Sequence, residues 1–376
     1  MIDSLFSVGL YIIPFLVILT VIVFVHEMGH YLVARWNGIA VDAFSIGFGP
    51  ELIGRTDKRG TRWRLSAIPL GGYVRFTGDL NAASVPDPEA IARYDGEEAK
   101  TLYVNKNVWR RIAVVVAGPA ANILFTFLVL YALLLGYGRM TLDPLIDQVL
   151  PGSVAETAGL MSGDRIVEVD GFTVRGFEDF QRLVATAPMR PVDVTVERNG
   201  EEMAFVVVPE AVETTDRFGN AHTIGRVGVS RDVNEGEVVL YRPDALEAVT
   251  MTFEEISFII DRTVAFLGDF FVGRGDLDQL GGPVRVAQVS GEVATLGLLA
   301  LVNLTALLSL NIGLVNLLPI PMLDGGHLVY YLYEAVRGKP LSQRIQEIGF
   351  RIGFAIVCTL MVFTLANDTL LRWFRL

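Results

Sequence analysis

The chain has 376 residues, of which 52% are hydrophobic and only 19% charged, and its mean hydropathy is +0.45. That is too apolar for an ordinary soluble domain and too charged for a wholly embedded one, so a membrane protein carrying a soluble module is expected. A formal net charge of −11 with no long Lys/Arg run argues against nucleic-acid binding, and the single Cys358, in an apolar segment, rules out an internal disulfide.

Met1-Ile2-Asp3-Ser4 has no positive n-region, and no small-residue cleavage site follows it, so the N-terminus reads as a retained span rather than a signal peptide. Four segments are apolar enough to cross a bilayer: about Val8 to Ala34 with Pro14 inside it, Ile112 to Leu135 interrupted by Gly118-Pro119 and Asn122, Leu296 to Leu318 containing Asn303, Asn311 and Asn316, and about Ile348 to Ala366. Lys and Arg cluster between the first two spans, from Arg35 through Arg62 and Arg75 to Arg111, whereas the N-terminal tail has none. The positive-inside rule then puts residues 36–110 in the cytoplasm, the N-terminus and 138–295 outside, and 321–347 back in the cytoplasm.

The first span ends in His26-Glu27-Met28-Gly29-His30. At about 100° per residue, the two imidazoles lie about 40° apart on one helix face with Glu27 beside it, the arrangement of two zinc ligands flanked by a general base. Ionisable groups at membrane depth cost about 2.5–3.5 kcal/mol each by insertion scales, so such a cluster implies a function that offsets them.

In the loop that follows, Thr61 to Ile68 and Gly72 to Phe76 read as two strands of a hairpin turning through Pro69-Leu70-Gly71-Gly72. Its apolar character suggests that it dips into the interface; it either holds an extended peptide at its edge or packs structurally on the bundle. Residues 78–100 read as a polar loop. From Asp143 to Pro209 the pattern is that of a small globular domain. Its short β-like runs are Ile146 to Leu150, Arg165 to Val169, Val192 to Arg198 and Met203 to Val208, with a helix at Phe177 to Ala185. Pro151-Gly152-Ser153-Val154-Ala155, Ala158-Gly159-Leu160, Gly163-Asp164-Arg165-Ile166-Val167 and Asp170-Gly171 closely resemble a PDZ domain of bacterial envelope proteases. Such domains bind peptide C-termini by strand addition or obstruct access sterically.

Residues 210–245 are polar, with His222 expected in a solvated turn. Phe253, Ile256, Ile260, Val264, Leu267 and Phe271 form one stripe of an amphipathic helix, expected on the outer membrane surface or against the spans. Leu280-Gly281-Gly282-Pro283-Val284 then breaks the chain. The expected division is 1–36 first span, 37–110 loop with hairpin, 111–137 second span, 138–210 PDZ-like domain, 211–295 linker and interfacial helix, 296–320 third span, 321–347 loop, and 348–376 fourth span and tail. The fold class is thus a polytopic α-helical membrane protein with a membrane-associated β-hairpin and one extracytoplasmic PDZ-like α+β domain.

Catalytic zinc takes three protein ligands and keeps a position for water, so His26 and His30 need a partner. His222 belongs to the outer segment, and Glu27 is better kept as base. The remaining polar cluster attached to a span runs from Asn316 to His327 and offers Asp324; His327 could substitute or play a supporting part. Pro319 and Pro321 end the span, and Gly325-Gly326 would allow a tight return that carries Asp324 on irregular backbone.

His26-Glu27-Met28-Gly29-His30 with the N-x-x-P-x-P-x-L-D-G-G element from Asn316 to Gly326 resembles the site-2 protease family of intramembrane metalloproteases. Pro69 to Val74, Lys106 to Arg111 leading into Ala117-Gly118-Pro119-Ala120-Ala121-Asn122, and Leu280-Gly281-Gly282-Pro283 are similar to its bacterial RseP-like branch, so the resemblance spans nearly the whole chain. It implies one Zn2+ held by His26, His30 and Asp324, Glu27 as the base that activates water, and substrate held by Asn316 and the hairpin near Gly72, Tyr73 and Val74. It also implies a bacterial inner-membrane enzyme that cleaves within single-pass transmembrane substrates, such as a pre-trimmed anti-sigma factor or remnant signal peptides. Members with two tandem PDZ domains differ from this chain, where one is found. Two other classes compatible with the residues are a divalent-metal transporter and a non-catalytic membrane adaptor using the PDZ-like domain.

Overall fold

A computed structural model describes residues 2–79, 87–215, 221–231, 238–271 and 281–366. It divides into two compact units, Met1–Leu130 with Gly281–Leu376, and Tyr131–Leu280. In chain order the elements are α1 (Ile2–Trp36), β1 (Val41–Thr56), β2 (Arg62–Phe76), α2 (Pro88–Ile91), α3 (Gly96–Ala99), α4 (Val108–Tyr137), β3 (Arg139–Leu142), β4 (Gln148–Val149), α5 (Val154–Ala158), β5 (Arg165–Val169), β6 (Phe172–Thr173) and α6 (Phe177–Ala185). They continue with β7 (Val192–Arg198), β8 (Glu201–Val207), β9 (Glu210–Thr215), β10 (Ala221–Arg226), β11 (Val229–Ser230), β12 (Val238–Tyr241), α7 (Ala245–Phe271), α8 (Pro283–Thr295), α9 (Leu298–Asn316), α10 (Asp324–Arg337) and α11 (Gln343–Ala366).

In the first unit, α1, α4, α9 and α11 are long and apolar enough to cross a membrane, over Gly9–Trp36, Val108–Tyr137, Leu298–Asn316 and Arg344–Ala366. These match the four expected spans to within a few residues. Pro119 is accommodated inside α4 without ending it. Helix α8 was not foreseen: after the Gly-Pro break the chain winds into a short helix whose Gly291 lies against Tyr11 of α1, a contact that a Cβ would obstruct at 2.2 Å.

The expected hairpin is corrected. Residues 62–76 form one continuous strand, and its two halves do not pair with each other across Pro69 to Gly72. The preceding segment β1 bends between them instead: Phe44 pairs with both Val74 and Trp63, and Ser45 with both Tyr73 and Arg64, while Ile53 to Thr56 return along Leu65 to Arg62. The local order is therefore 72–76, 41–46, 62–66, 51–56, with 72–76 at one edge. The residues of 41–56 show little polar alternation, because Ala43, Phe44 and Ser45 are buried on both faces. Alternation alone could not find such a strand. Phe44 stacks on Trp63 and packs with Tyr31 of α1, which seats the sheet on the helix.

The second unit has a four-stranded sheet in the order β6-β5-β7-β8, antiparallel throughout, with pairs β11-β4, β10-β9 and β12-β3. Strands β5 and β7 and helix α6 lie where the sequence put them. Strands β9 to β12 replace the expected linker, and His222 lies on β10 opposite Thr214 rather than in a turn. The core gathers Ile146, Ile166, Phe180, Val194 and Val196 around α6. Buried Asp164 is held by two hydrogen bonds from Arg198 of 2.6 and 2.7 Å. Helix α7 joins this core through Phe258, pairs Glu255 with Arg182 at 2.5 Å and Glu254 with Arg175, and leaves Phe253 and Val264 exposed.

Candidate metal centre

The site lies in the first unit, where α1, α4 and the start of α10 meet. His26 and His30 lie one turn apart on α1, with their Nε2 atoms 3.2 Å from each other. Asp324 Oδ2 lies 3.1 Å from His26 Nε2, and Oδ1 3.5 Å from His30 Nε2. Among the described residues these three form the one group of His, Cys, Asp or Glu donors close enough to share a metal ion.

The donor set fits zinc. Tetrahedral bonds of about 2.0–2.1 Å require ligand atoms about 3.3 Å apart, and the 3.2 Å between the two Nε2 atoms and the 3.1 Å from His26 Nε2 to Asp324 Oδ2 lie close to that value. His30 Nδ1 donates to the carbonyl of Val114 at 2.7 Å, so its Nε2 carries a bare lone pair. Asp324 Oδ2 is buried without a hydrogen-bond donor despite its closeness to His26. A space is also kept beside the rings: a Cβ on Gly118 would meet His30 Nε2 at 2.3 Å and His26 Nε2 at 2.8 Å. Gly29 serves the approach of the helices, since a Cβ there would strike the Ala117 carbonyl at 2.2 Å.

Asp324 does not arrive on irregular backbone, as expected, but as the first residue of α10. Gly325 and Gly326 are not a return; they lie in the first helical turn, where a Cβ would meet the carbonyls of Leu318 and Ile320 at 2.2 and 2.4 Å. The span ends at Asn316, and the first turn of α10 packs against the connecting residues Leu317 to Pro321. Arg111 of α4 fixes α10 further along through a 2.5 Å ion pair to Glu334 and by lying over the Tyr331 ring at 4.8 Å.

These groups open on a cavity of about 520 Å3 lined by His26, Glu27, His30, Gly72, Tyr73, Val74, Asn316, Asp324 and His327, among others. Every candidate site residue from the sequence therefore reaches one cavity. The Glu27 carboxylate faces the backbone N–H of Val74. In an antiparallel edge, alternate residues share that direction, so Gly72 and Phe76 also turn their backbone groups away from β1. His327 lies one turn beyond Asp324, and burial holds its imidazole below the ordinary value, hence neutral near pH 7. Two contributors escaped the sequence reading, the Val114 carbonyl and the side chain of Asn122. For the second there was a signal, an amide in the middle of an apolar span.

Residues 14–360 match the model of peptidase family M50. A relative from Agrobacterium fabrum carrying a zinc metalloprotease name is 51% identical over 361 residues, 95% of each chain. One from Rhizobium meliloti with the same kind of name is 45% identical over 359 residues, covering 95% of this chain and 96% of its own. The metalloprotease MmpA of Caulobacter vibrioides is 38% identical over 379 residues, 95% of this chain and 94% of its own. A membrane-spanning helical bundle with two histidines, a carboxylate ligand candidate and an adjacent glutamate defines the class as a membrane-embedded zinc metalloprotease. The chain belongs to the M50, or site-2 protease, family.

Proposed function

We propose that His26, His30 and Asp324 hold the catalytic zinc, that Glu27 is the general base, and that the substrate is a single transmembrane segment cleaved near the cytoplasmic face of a bacterial inner membrane. The observation that carries this reading is the convergence on one cavity of three donor groups, a carboxylate and a sheet edge that no further strand covers among the described residues. Bound zinc supplies Lewis acidity that activates water and polarises the scissile carbonyl. Glu27 takes the proton of the attacking water and passes it to the leaving amine, and the Val74 N–H keeps its carboxylate turned to the cavity.

A helical substrate hides its carbonyls in its own hydrogen bonds and must unwind before attack. The edge at 72–76 offers replacement partners at Gly72, the Val74 carbonyl and the Phe76 N–H, the Phe76 carbonyl being taken by Asp79 N–H at 3.1 Å, with Asn316 able to bind a further backbone group. Tyr131–Leu280 contains the PDZ-like domain, on the extracytoplasmic side by the charge distribution, where it binds or obstructs incoming substrate. A pre-trimmed anti-sigma factor or a remnant signal peptide has the required single-span form. Glu27→Gln in the full-length enzyme with a model single-span substrate is the test: zinc content stays at one per chain while cleavage falls by about 100-fold or more. Retained cleavage would remove Glu27 from the chemistry.

A further inference from the structure

His30 is held in the tautomer that faces its Nε2 lone pair towards the metal position, because Nδ1–H donates to the Val114 carbonyl. His26 needs the same restraint. The polar group beside its Nδ1 is the side-chain amide of Asn122, fully buried in α4, with Nδ2 at 3.3 Å. In that orientation the amide donates to Nδ1, which leaves the ring proton on Nε2, aimed at His30 and Asp324 and incompatible with ligation. It also leaves Asn122 Oδ1 buried with no partner, an uncompensated loss of its hydration. Turning the amide over about its last torsion, which exchanges two groups of nearly equal size, resolves both conflicts. Oδ1 then accepts from His26 Nδ1–H, and the Nε2 lone pair is free.

We propose that Asn122 is a positioning residue of the metal centre, whose amide oxygen fixes the tautomer and ring plane of His26. The proposal rests on His26 being a zinc ligand. The backbone of Asn122 is held from two helices. The backbone carbonyl of Asn122 accepts from Thr126 Oγ1 at 2.9 Å and from Ser309 Oγ of α9 at 3.3 Å, and Gly313 of α9 lies against its Cβ. Helix clamping accounts for those backbone contacts, but not for a side-chain oxygen left without a donor. Both histidines would then be oriented by α4, one through a main-chain carbonyl and one through an amide.

The test is zinc and cobalt(II) titration of the full-length protein in nanodiscs, with thermal unfolding as a check on folding. Asn122→Ala weakens metal binding by about 10- to 100-fold, the range for lost orienting partners, and alters the cobalt(II) visible spectrum. Asn122→Asp keeps an acceptor and stays within about tenfold of the wild type. The opposite order, with Asp worse than Ala, is the signature of mere packing, where a buried charge is the larger penalty, and overturns the proposal. A His26→Ala/Asn122→Ala cycle provides a second measurement: once His26 is gone, losing Asn122 has no further effect on affinity. An undiminished effect there overturns the proposal. Unchanged affinity in His26→Ala alone would instead overturn the ligand reading on which it rests.

Discussion

At the scale of single residues, the metal centre depends on a side chain that is missing. Gly118 sits opposite the two imidazoles, and a methyl group there would lie closer to both Nε2 atoms than van der Waals contact allows. Gly118→Ala is therefore expected to reduce zinc affinity on the order of 100-fold while the span persists, since alanine is the better helix former. Zinc content and helical signal measured on the same sample check both halves. The two histidines and Glu27 were legible from their spacing, because helical geometry alone sets which face they share. The roles of Gly118 and Asn122 were not, because each acts on atoms contributed by another helix.

At the scale of elements, the 72–76 edge and α10 carry the expectations. Gly72 packs against Ser45, Val23 and Glu27, where a Cβ would fall at 2.7 Å from the first two and 3.1 Å from the Glu27 side chain. Gly72→Val should push the 72–76 strand off α1 and lower cleavage by about tenfold or more, with zinc retained, because the base and the strand lose their register while the ligands do not. A coupled loss of zinc would show that the strand supports the ligands as well. Arg111→Ala leaves the partly buried Glu334 carboxylate without its partner, which costs about 1–3 kcal/mol and loosens the helix that carries Asp324. Its signature is a lower unfolding midpoint together with weaker zinc binding. The strand halves 62–68 and 72–76 were found from their β-like composition, yet their partner was not. Residues 41–47 are largely buried on both faces and 48–56 are largely exposed on both, so neither half shows the alternation that marks a half-exposed strand.

At the scale of the whole molecule, the site joins α1 to α10 across nearly the full length of the chain, so occupancy and tertiary structure are linked. A ligand that binds only the assembled bundle stabilises it by about 2.7 kcal/mol at 100 times its dissociation constant. Chelation should accordingly lower the thermal midpoint of the first unit, and returning zinc should restore it. An unchanged midpoint in calorimetry would mean that the folded first unit binds no zinc, and would count against the three-ligand centre. The second unit, Tyr131–Leu280, contains none of the proposed ligands and should melt independently of zinc.

The sequence by itself determined the four spans, the helical face of His26 and His30, and most of the sheet and helix of the second unit, because these depend on hydrophobic length and local periodicity. It also pointed to Asp324, since few carboxylates adjoin a span. Tertiary structure decided the rest. It made Asp324 the opening of a helix instead of part of a loop, threaded β1 between the two halves of β2, and brought Asn122 to His26 and Gly118 to the gap between the rings. Each of these is a contact between segments far apart in the chain, where close approach and burial choose among conformations that local propensity leaves equally open.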